Sequence, residues 1–350
     1  MKISMYEDVP NFGDVLNKYL WQPYLGEFLT RDDNILMLGI GTLLGHSKAH
    51  DGQVIVCGSG SGYGGDFSQL TNENWKIFFV RGPSTAKALG LPESMAITDP
   101  AILTPEIFPA GPKTGKTIFV PHWESSQNPL WKSACKLAGV EYVDPLSDIA
   151  EIMQTISGAK LVIAEAMHAA IIADAYRVPW VSVSTSSRIN GFKWQDWASS
   201  LGMRHHFQHY APLGMTNKVF NLTSGRADMF DTAHASSSGG EAAQVMTRRQ
   251  SGGVTQMAKS VYKKVVPQSW QGGKDLEFFS SIAFAADHSI NFMLKSGVYN
   301  KFFDQTVEDL RKSAAQTGML SDDAIHHAKK EMLKERLESV RQYLAEIPAA

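Results

Sequence analysis

The sequence predicts an α/β protein made of two Rossmann-like domains that face a cleft, followed by a C-terminal helical extension. Three observations carry this expectation. Short β-type runs alternate with helix-type runs through about the first 200 residues, the rhythm of mostly parallel sheets with helices on their faces. The Pro/Gly stretch Phe108-Pro-Ala-Gly-Pro-Lys-Thr-Gly115 interrupts that rhythm once, and it then restarts. From residue 275 the apolar positions recur at helical spacing with no further strand signal. The 350 residues leave room for two or three domains at about 100–200 residues each. The expected boundaries are 1–112 and 113–210 for the two domains, 211–274 for an irregular linker and 275–350 for the helical extension.

Taken in order, residues 2–6 are a short β-type run, and residues 14–26 carry Val15, Leu16, Tyr19 and Leu20 at helical spacing. Residues 35–38, 54–57 and 77–80 read as strands. Residues 83–89 read as a helix, with Pro83 in its first turn and Gly90 beyond its end. Residues 95–98 read as another strand, stopped by Asp99-Pro100. In the second domain, strands are expected at 117–120, 141–143, 161–164 and 180–184. Helices are expected there at 129–138, 146–157 and 167–176. Further helices are expected at 275–294, 299–315 and 322–344, the last with Leu333, Leu337, Val340 and Leu344 on one stripe.

Composition excludes several classes. Apolar residues make up 43% and charged residues 19%, enough for a sizeable core and against global disorder. With 33 Lys+Arg against 35 Asp+Glu the net charge is −2, so no nucleic-acid partner is expected. Cys57 and Cys135 form neither a disulfide framework nor a CxxC knuckle. The most apolar stretch, 161–183, is broken by Glu165, His168, Asp174 and Arg177, which argues against a membrane span. A soluble protein of the cytoplasm is the expectation.

Some motifs fail on their chemistry. Ala110-Gly-Pro-Lys-Thr-Gly-Lys-Thr117 brushes a phosphate loop but has Ala110 where the first glycine belongs, and it runs into a strand rather than a helix. Gly60-Ser-Gly62-Tyr-Gly-Gly65 matches GxGxxG without a clear following helix; it reads better as backbone that an anion or sugar approaches closely. His205, His206 and His209 lack companions at metal spacing and read as surface histidines, so no metal is expected. No GxSxG elbow is present.

Other motifs persist. Asn11-Phe-Gly13-Asp14 follows the first strand: it caps a helix and forms a pocket floor at a strand's carboxyl end, roles that are compatible. Arg81, between a strand and a helix, is placed to grip a carboxylate or phosphate, helped by the helix start that follows at Ser84. The most informative segment is 161–175, where a buried strand delivers His168 into the first turn of an Ala-rich helix, with Glu165 placed to orient the imidazole. Beyond the next strand, Arg188 and Lys193, together with Trp194 and Trp197, suit a site that holds an anion beside a sugar ring.

The succession NFGD, a Gly-rich strand end, VRGPS, TDPA, VPHWES, DPLSD and AEAMHAAIIADAYRVPW resembles the polysaccharide pyruvyltransferase family over about residues 1–200. It is most similar to exopolysaccharide ketal pyruvyltransferases of the succinoglycan type. The resemblance implies a GT-B-like arrangement with the site between the domains. It implies phosphoenolpyruvate as donor and a hydroxyl pair of a glycan or lipid-linked oligosaccharide as acceptor, joined as a cyclic ketal in bacterial exopolysaccharide or cell-surface polysaccharide synthesis. The family's essential histidine falls on His168; for the chemistry this implies, Asp14 is the candidate second acid/base and no cofactor beyond the donor is expected. Many members carry Arg two residues before that histidine; here Ala166 stands there, so donor-anion binding is expected from Arg81, then Arg188 and Lys193. Asn11, Gly13, Gly60, Ser84 and His122 complete the expected substrate-binding set. The acceptor would bring the protein to the inner face of the membrane. The rival expectation is a GT-B sugar-nucleotide-dependent glycosyltransferase, and a third is a non-catalytic glycan-binding protein.

Overall fold

The computed structural model describes residues 1–5, 9, 11–31, 34–45, 50–62, 67, 73–186, 189–211, 213 and 301–347. The expected linker 211–274 and helix 275–294 lie almost wholly outside them. Within them, β1 (Lys2–Ser4), β2 (Ile35–Leu38), β3 (Gln53–Cys57) and β4 (Trp75–Phe79) form a parallel sheet in the order β1-β2-β3-β4. A second parallel sheet has the order β6-β5-β7-β8-β9. Its strands are β5 (Thr117–Val120), β6 (Glu141–Tyr142), β7 (Leu161–Ala164), β8 (Trp180–Ser184) and β9 (Gln208–His209). The central strands are largely apolar because both faces are covered; β7 and β8 are buried at every position, Ser182 and Ser184 included.

Two expectations along the first unit are corrected. The single helix over 14–26 is instead three short helices, α1 (Phe12–Val15), α2 (Asn17–Leu20) and α3 (Gln22–Leu29). Pro23 opens the third and Leu25 departs from helical geometry at φ −129°, ψ 15°. The strand over 95–98 is a 3₁₀ turn, Glu93–Met95, followed by one bridge from Val80 to Ala96. There Val80 N–H donates to the Met95 carbonyl (2.8 Å) and Ile97 N–H to the Val80 carbonyl (3.2 Å), and Pro100 then opens the next turn. A second 3₁₀ turn, Pro100–Glu106, then packs along α8 (Met167–Ala175). Residues 109–116 run as irregular chain into β5, with no helix to cradle a phosphate.

The helices expected at 83–89, 129–138, 146–157, 167–176, 299–315 and 322–344 form near those positions, whereas those at 123–126 and 191–200 are additional. α4 (Pro83–Ala88) starts on its proline. α5 (Trp123–Ser126), α6 (Leu130–Ala138) and α7 (Ile149–Gly158) precede α8, and α9 (Gly191–Ser200) follows β8. Gly139 closes α6 at φ 74°, a left-handed cap that suits glycine. The last two helices dock on different units. α10 (Lys301–Ala314) places Phe303, Val307 and Leu310 into the core around Trp131, Leu161 and Val181. α11 (Asp323–Glu346) is capped by Asp322, which accepts from Ala324 N–H (2.9 Å), and it buries the Leu333, Leu337, Val340 and Leu344 stripe. It lies against the first unit, where Arg31 donates to the carbonyls of Leu344 (3.0 Å) and Ile347 (2.7 Å) and Tyr343 meets Phe78 edge-on.

A buried ion pair joins the two units. Arg81, just beyond β4, and Asp196, on α9, both have fully buried side chains, with Nε and Oδ2 3.1 Å apart. The remaining guanidinium nitrogens donate to Thr42 Oγ1 (3.0 Å) and the Ser61 carbonyl (2.9 Å). The Asp196 carboxylate also accepts from Thr85 N–H (2.8 Å) and Thr85 Oγ1 (2.7 Å). Gly82 is required for the approach, since a Cβ there would stand 2.1 Å from the Asp196 carbonyl oxygen. Removing one partner strands the other charge in the interior, at a cost of about 3–5 kcal/mol. Asp196→Ala is therefore expected to lower the unfolding free energy by about that amount in chemical denaturation, and the double variant Arg81→Met/Asp196→Leu to recover most of the loss.

Candidate active site

The loops that meet between the two units all follow the carboxyl ends of strands. Asn11 caps α1 through Oδ1, which accepts from Gly13 N–H (3.1 Å) and Asp14 N–H (3.3 Å), while its Nδ2 donates to the Asp14 carboxylate. This turns Asp14 toward the second unit. On that side α8 begins at Met167 without a side-chain cap and delivers His168 in its first turn. The imidazole lies directly on Gly13: a Cβ on that glycine would stand 2.1 Å from Nδ1. Only the bare glycine backbone lets the ring lie there. The side chain is 13% exposed, so the histidine sits at the junction of the units and not sealed within the second one.

Nε2 turns the other way, toward Asp99 Oδ2 at 3.8 Å. Both atoms are buried and neither makes a hydrogen bond. Asp99 caps the turn Pro100–Glu106, where Oδ1 accepts from Ala101 N–H (3.0 Å). Burial raises the Asp14 carboxyl above its ordinary range; His168, the Asn11 hydrogen bond and Lys193 pull the other way and do not win. Lys193, on α9, lays its stem on Gly62, where a Cβ would meet its Cγ at 2.6 Å. Asn190 at the head of α9 donates to the Gly62 carbonyl.

Comparison with known proteins bears on this junction. A family model described as polysaccharide pyruvyl transferase matches residues 11–187, just over half of the chain. The chain belongs to the polysaccharide pyruvyl transferase family. It is 41% identical over 198 residues to the succinoglycan biosynthesis protein ExoV of Rhizobium meliloti (strain 1021). That alignment covers 56% of this chain and 63% of ExoV. No solved structure matches. Among the described residues of this family member, no helix is long and apolar enough to cross a membrane, and no group of three or more His, Cys, Asp or Glu is placed to hold a metal ion.

The structure brings some of the expected site residues together and commits others elsewhere. Asn11, Gly13, Asp14, His168 and Lys193 come together at the junction. Arg81 and Gly60 are nearby but committed to packing: the guanidinium expected to grip a donor anion is bonded to Asp196, Thr42 and Ser61, and the glycine expected to admit a ligand admits that guanidinium, whose Cζ would lie 2.2 Å from a Cβ at position 60. Ser84 is half-buried in the first turn of α4. Arg188 lies outside the described residues.

Glu165 does not orient the imidazole. Its carboxylate is buried and accepts from His122 N–H (2.9 Å), Thr185 N–H (3.1 Å) and the Thr185 hydroxyl, tying together the loops after β5, β7 and β8. His122 caps α5 through Nδ1, which accepts from Glu124 N–H (3.4 Å), so Glu165 positions His122 instead. The expectation that His205 lies on the surface is also corrected. It is stacked on Trp194 at 5.0 Å and packed edge-on to Phe207 at 4.2 Å, and burial pushes its pKa down to about 3.

Sequence reasoning passed over three residues. Asp99 stands in TDPA, where an Asp before Pro signals a turn cap and its second oxygen goes unremarked. Asn17 reads as an ordinary helix residue, yet its buried amide bonds both the N–H (2.9 Å) and the carbonyl (3.0 Å) of Ile40, holding the loop after β2. Asp196 sits between two tryptophans on α9, and only a buried Asp in such company hinted at a partner charge.

Burial raises the Glu165 carboxyl, as it does that of Asp14, against the hydrogen bonds from Thr185, His122 and Ser125. A folded state that holds a proton more tightly than the unfolded chain is favoured at low pH and loses that stability as pH rises from the ordinary carboxylate range through the raised value. Denaturation at a series of pH values is expected to show wild type most favoured over Glu165→Gln in acid, with the difference shrinking as pH rises through that window.

Proposed function

We propose that this protein transfers the pyruvyl group of phosphoenolpyruvate to a hydroxyl pair on a glycan or lipid-linked oligosaccharide, closing a cyclic ketal in the synthesis of an exopolysaccharide or cell-surface polysaccharide. The observation that supports this most is the seat of His168: an imidazole pressed onto Gly13 at the junction of two α/β units, beside Asp14 and Lys193, in a chain of the pyruvyl transferase family. The two sheets turn their carboxyl ends toward this junction, and we read the pair as GT-B-like. The ExoV relative carries succinoglycan biosynthesis in its name, which favours a bacterial exopolysaccharide as acceptor. Such an acceptor would draw the protein to the inner face of the membrane.

The chemistry asks for an acid, a base and a cation. Protonation of the donor's methylene carbon turns it into a methyl group and leaves the central carbon electrophilic. One sugar hydroxyl adds there and gives up its proton. The C–O bond to phosphate breaks, the second hydroxyl adds, and its proton leaves with inorganic phosphate. His168 is suited to deliver the first proton because an imidazole at the junction can serve as general acid and base. Asp14, whose burial disposes it to hold a proton, is suited to exchange one with the attacking hydroxyl. With Arg81 committed to Asp196, Lys193 takes the role of donor-anion cation, with Arg188 as a second candidate. Glu165, through His122 and Thr185, shapes the opposite wall.

Phosphoenolpyruvate is expected to raise the melting temperature, whereas UDP-sugars leave it unchanged. The reverse result would favour a sugar-nucleotide glycosyltransferase. With a competent acceptor, His168→Gln is expected to slow phosphate release about 10²–10⁴-fold while the melting temperature stays near wild type. Gly13→Ala is expected to be nearly as slow, because its methyl displaces the imidazole. No phosphate release by wild type across a panel of oligosaccharide acceptors would sink the reading.

A further inference from the structure

The buried Asp99 carboxylate has one oxygen with a job and one without. Oδ1 caps the turn at Ala101, while Oδ2 is sealed from solvent, makes no hydrogen bond and points at His168 Nε2 from 3.8 Å. A buried carboxylate oxygen with no partner is costly. The gap is too short to hold a water between the atoms, and a movement of about 1 Å would close it to a hydrogen bond. Catalytic hydrogen bonds in free enzymes are often long and tighten when substrate binds.

The surroundings leave Asp99 little freedom to do anything else. Pro100 follows it, and Thr98 before it is bound to Ser200 of α9 by a hydroxyl–hydroxyl bond of 2.8 Å. The Pro100–Glu106 turn packs along α8, the helix that carries His168. On its opposite edge the imidazole meets Gly13 and Asp14. The charged groups that face the ring are thus Asp99 at Nε2 and Asp14 on the Nδ1 side, with Lys193 next to Asp14.

We propose that Asp99 is the positioning residue for His168, taking the Nε2–H so that the neutral ring keeps its proton there and Nδ1, on the Gly13 and Asp14 side, exchanges protons at the junction. The assignment deepens the proposed function and rests on the role given there to His168. Asp99 makes no contact with the reacting atoms in this scheme. It selects one tautomer and steadies the imidazolium that forms when Nδ1 takes up a proton.

The test reads the tautomer directly. The full chain is labelled with ¹⁵N-histidine, and the His168 ring among the 11 histidines is assigned by its loss in His168→Gln. Long-range ¹H–¹⁵N spectra at about pH 8, where free imidazole is neutral, show which nitrogen carries hydrogen. Wild type is expected to show Nε2–H. Asp99→Asn can keep the cap on Ala101 while turning its amide N–H toward Nε2, so the tautomer is expected to flip to Nδ1–H. Asp99→Ser keeps a cap acceptor without the second oxygen and guards against a variant that fails to fold; it is expected to lose the Nε2–H preference. In Asp99→Asn, kcat is expected to fall about 10²–10⁴-fold with little change in KM for phosphoenolpyruvate. Nδ1–H in wild type, or one tautomer common to all three proteins, would overturn the proposal even if wild type releases phosphate. The expected flip in a protein that never releases phosphate would uphold the positioning and overturn the functional reading instead.

Discussion

Arg81 and Asp196 meet in a direct ion pair with neither side chain exposed. Such a pair adds little to stability compared with an apolar contact of the same size, because both charges are desolvated. What it adds is position. The guanidinium is planar and its nitrogens are bonded in three directions, to α9, to the loop after β2 and to the loop after β3. One side chain therefore sets where α9 stands relative to the first sheet, and α9 in turn sets where Lys193 and Asn190 meet Gly62. The glycines at 60 and 82 clear the space for this clasp. The junction that holds His168 rests on this geometry.

Within that frame the polar groups divide the labour by burial. Glu165 and Asp196 are buried carboxylates surrounded by donors, and each ties loops together. Burial raises the carboxyls of both Glu165 and Asp14, and Asp14, which neighbours His168 at the junction, is the candidate for proton exchange. Asp99 differs again, with one oxygen capping and the other directed at an imidazole nitrogen. Four acidic side chains of similar chemistry thus acquire different roles from the number and direction of the donors around them.

The strands were readable because a parallel strand covered on both faces is largely apolar, and Ile35–Leu38 and Leu161–Ala164 are apolar from end to end. The last helix was readable because its stripe repeats over several turns. The breaks in α1 to α3 were not, since the apolar spacing of Val15, Leu16, Tyr19 and Leu20 is the same whether the helix is continuous or folded back on itself. Which sheet each C-terminal helix covers was equally hidden: α10 and α11 both present a buried apolar face, and nothing local says that the first belongs with Trp131 and the second with Phe28.

From the residues alone came the α/β class, most of the strand and helix succession, the delivery of His168 by a buried strand into a helix start, and the capping role of Asn11. These are local matters, governed by periodicity, backbone preference and the few side chains that cap. The partners of the charged residues were decided only in three dimensions. Arg81 found Asp196 across 115 positions, Glu165 reached forward to Thr185 and back to His122, and Asp99 came to face His168 from another unit. A charge in a strand-end loop can answer to any group that folding brings within a few ångströms, and that choice is made by the packing of whole elements.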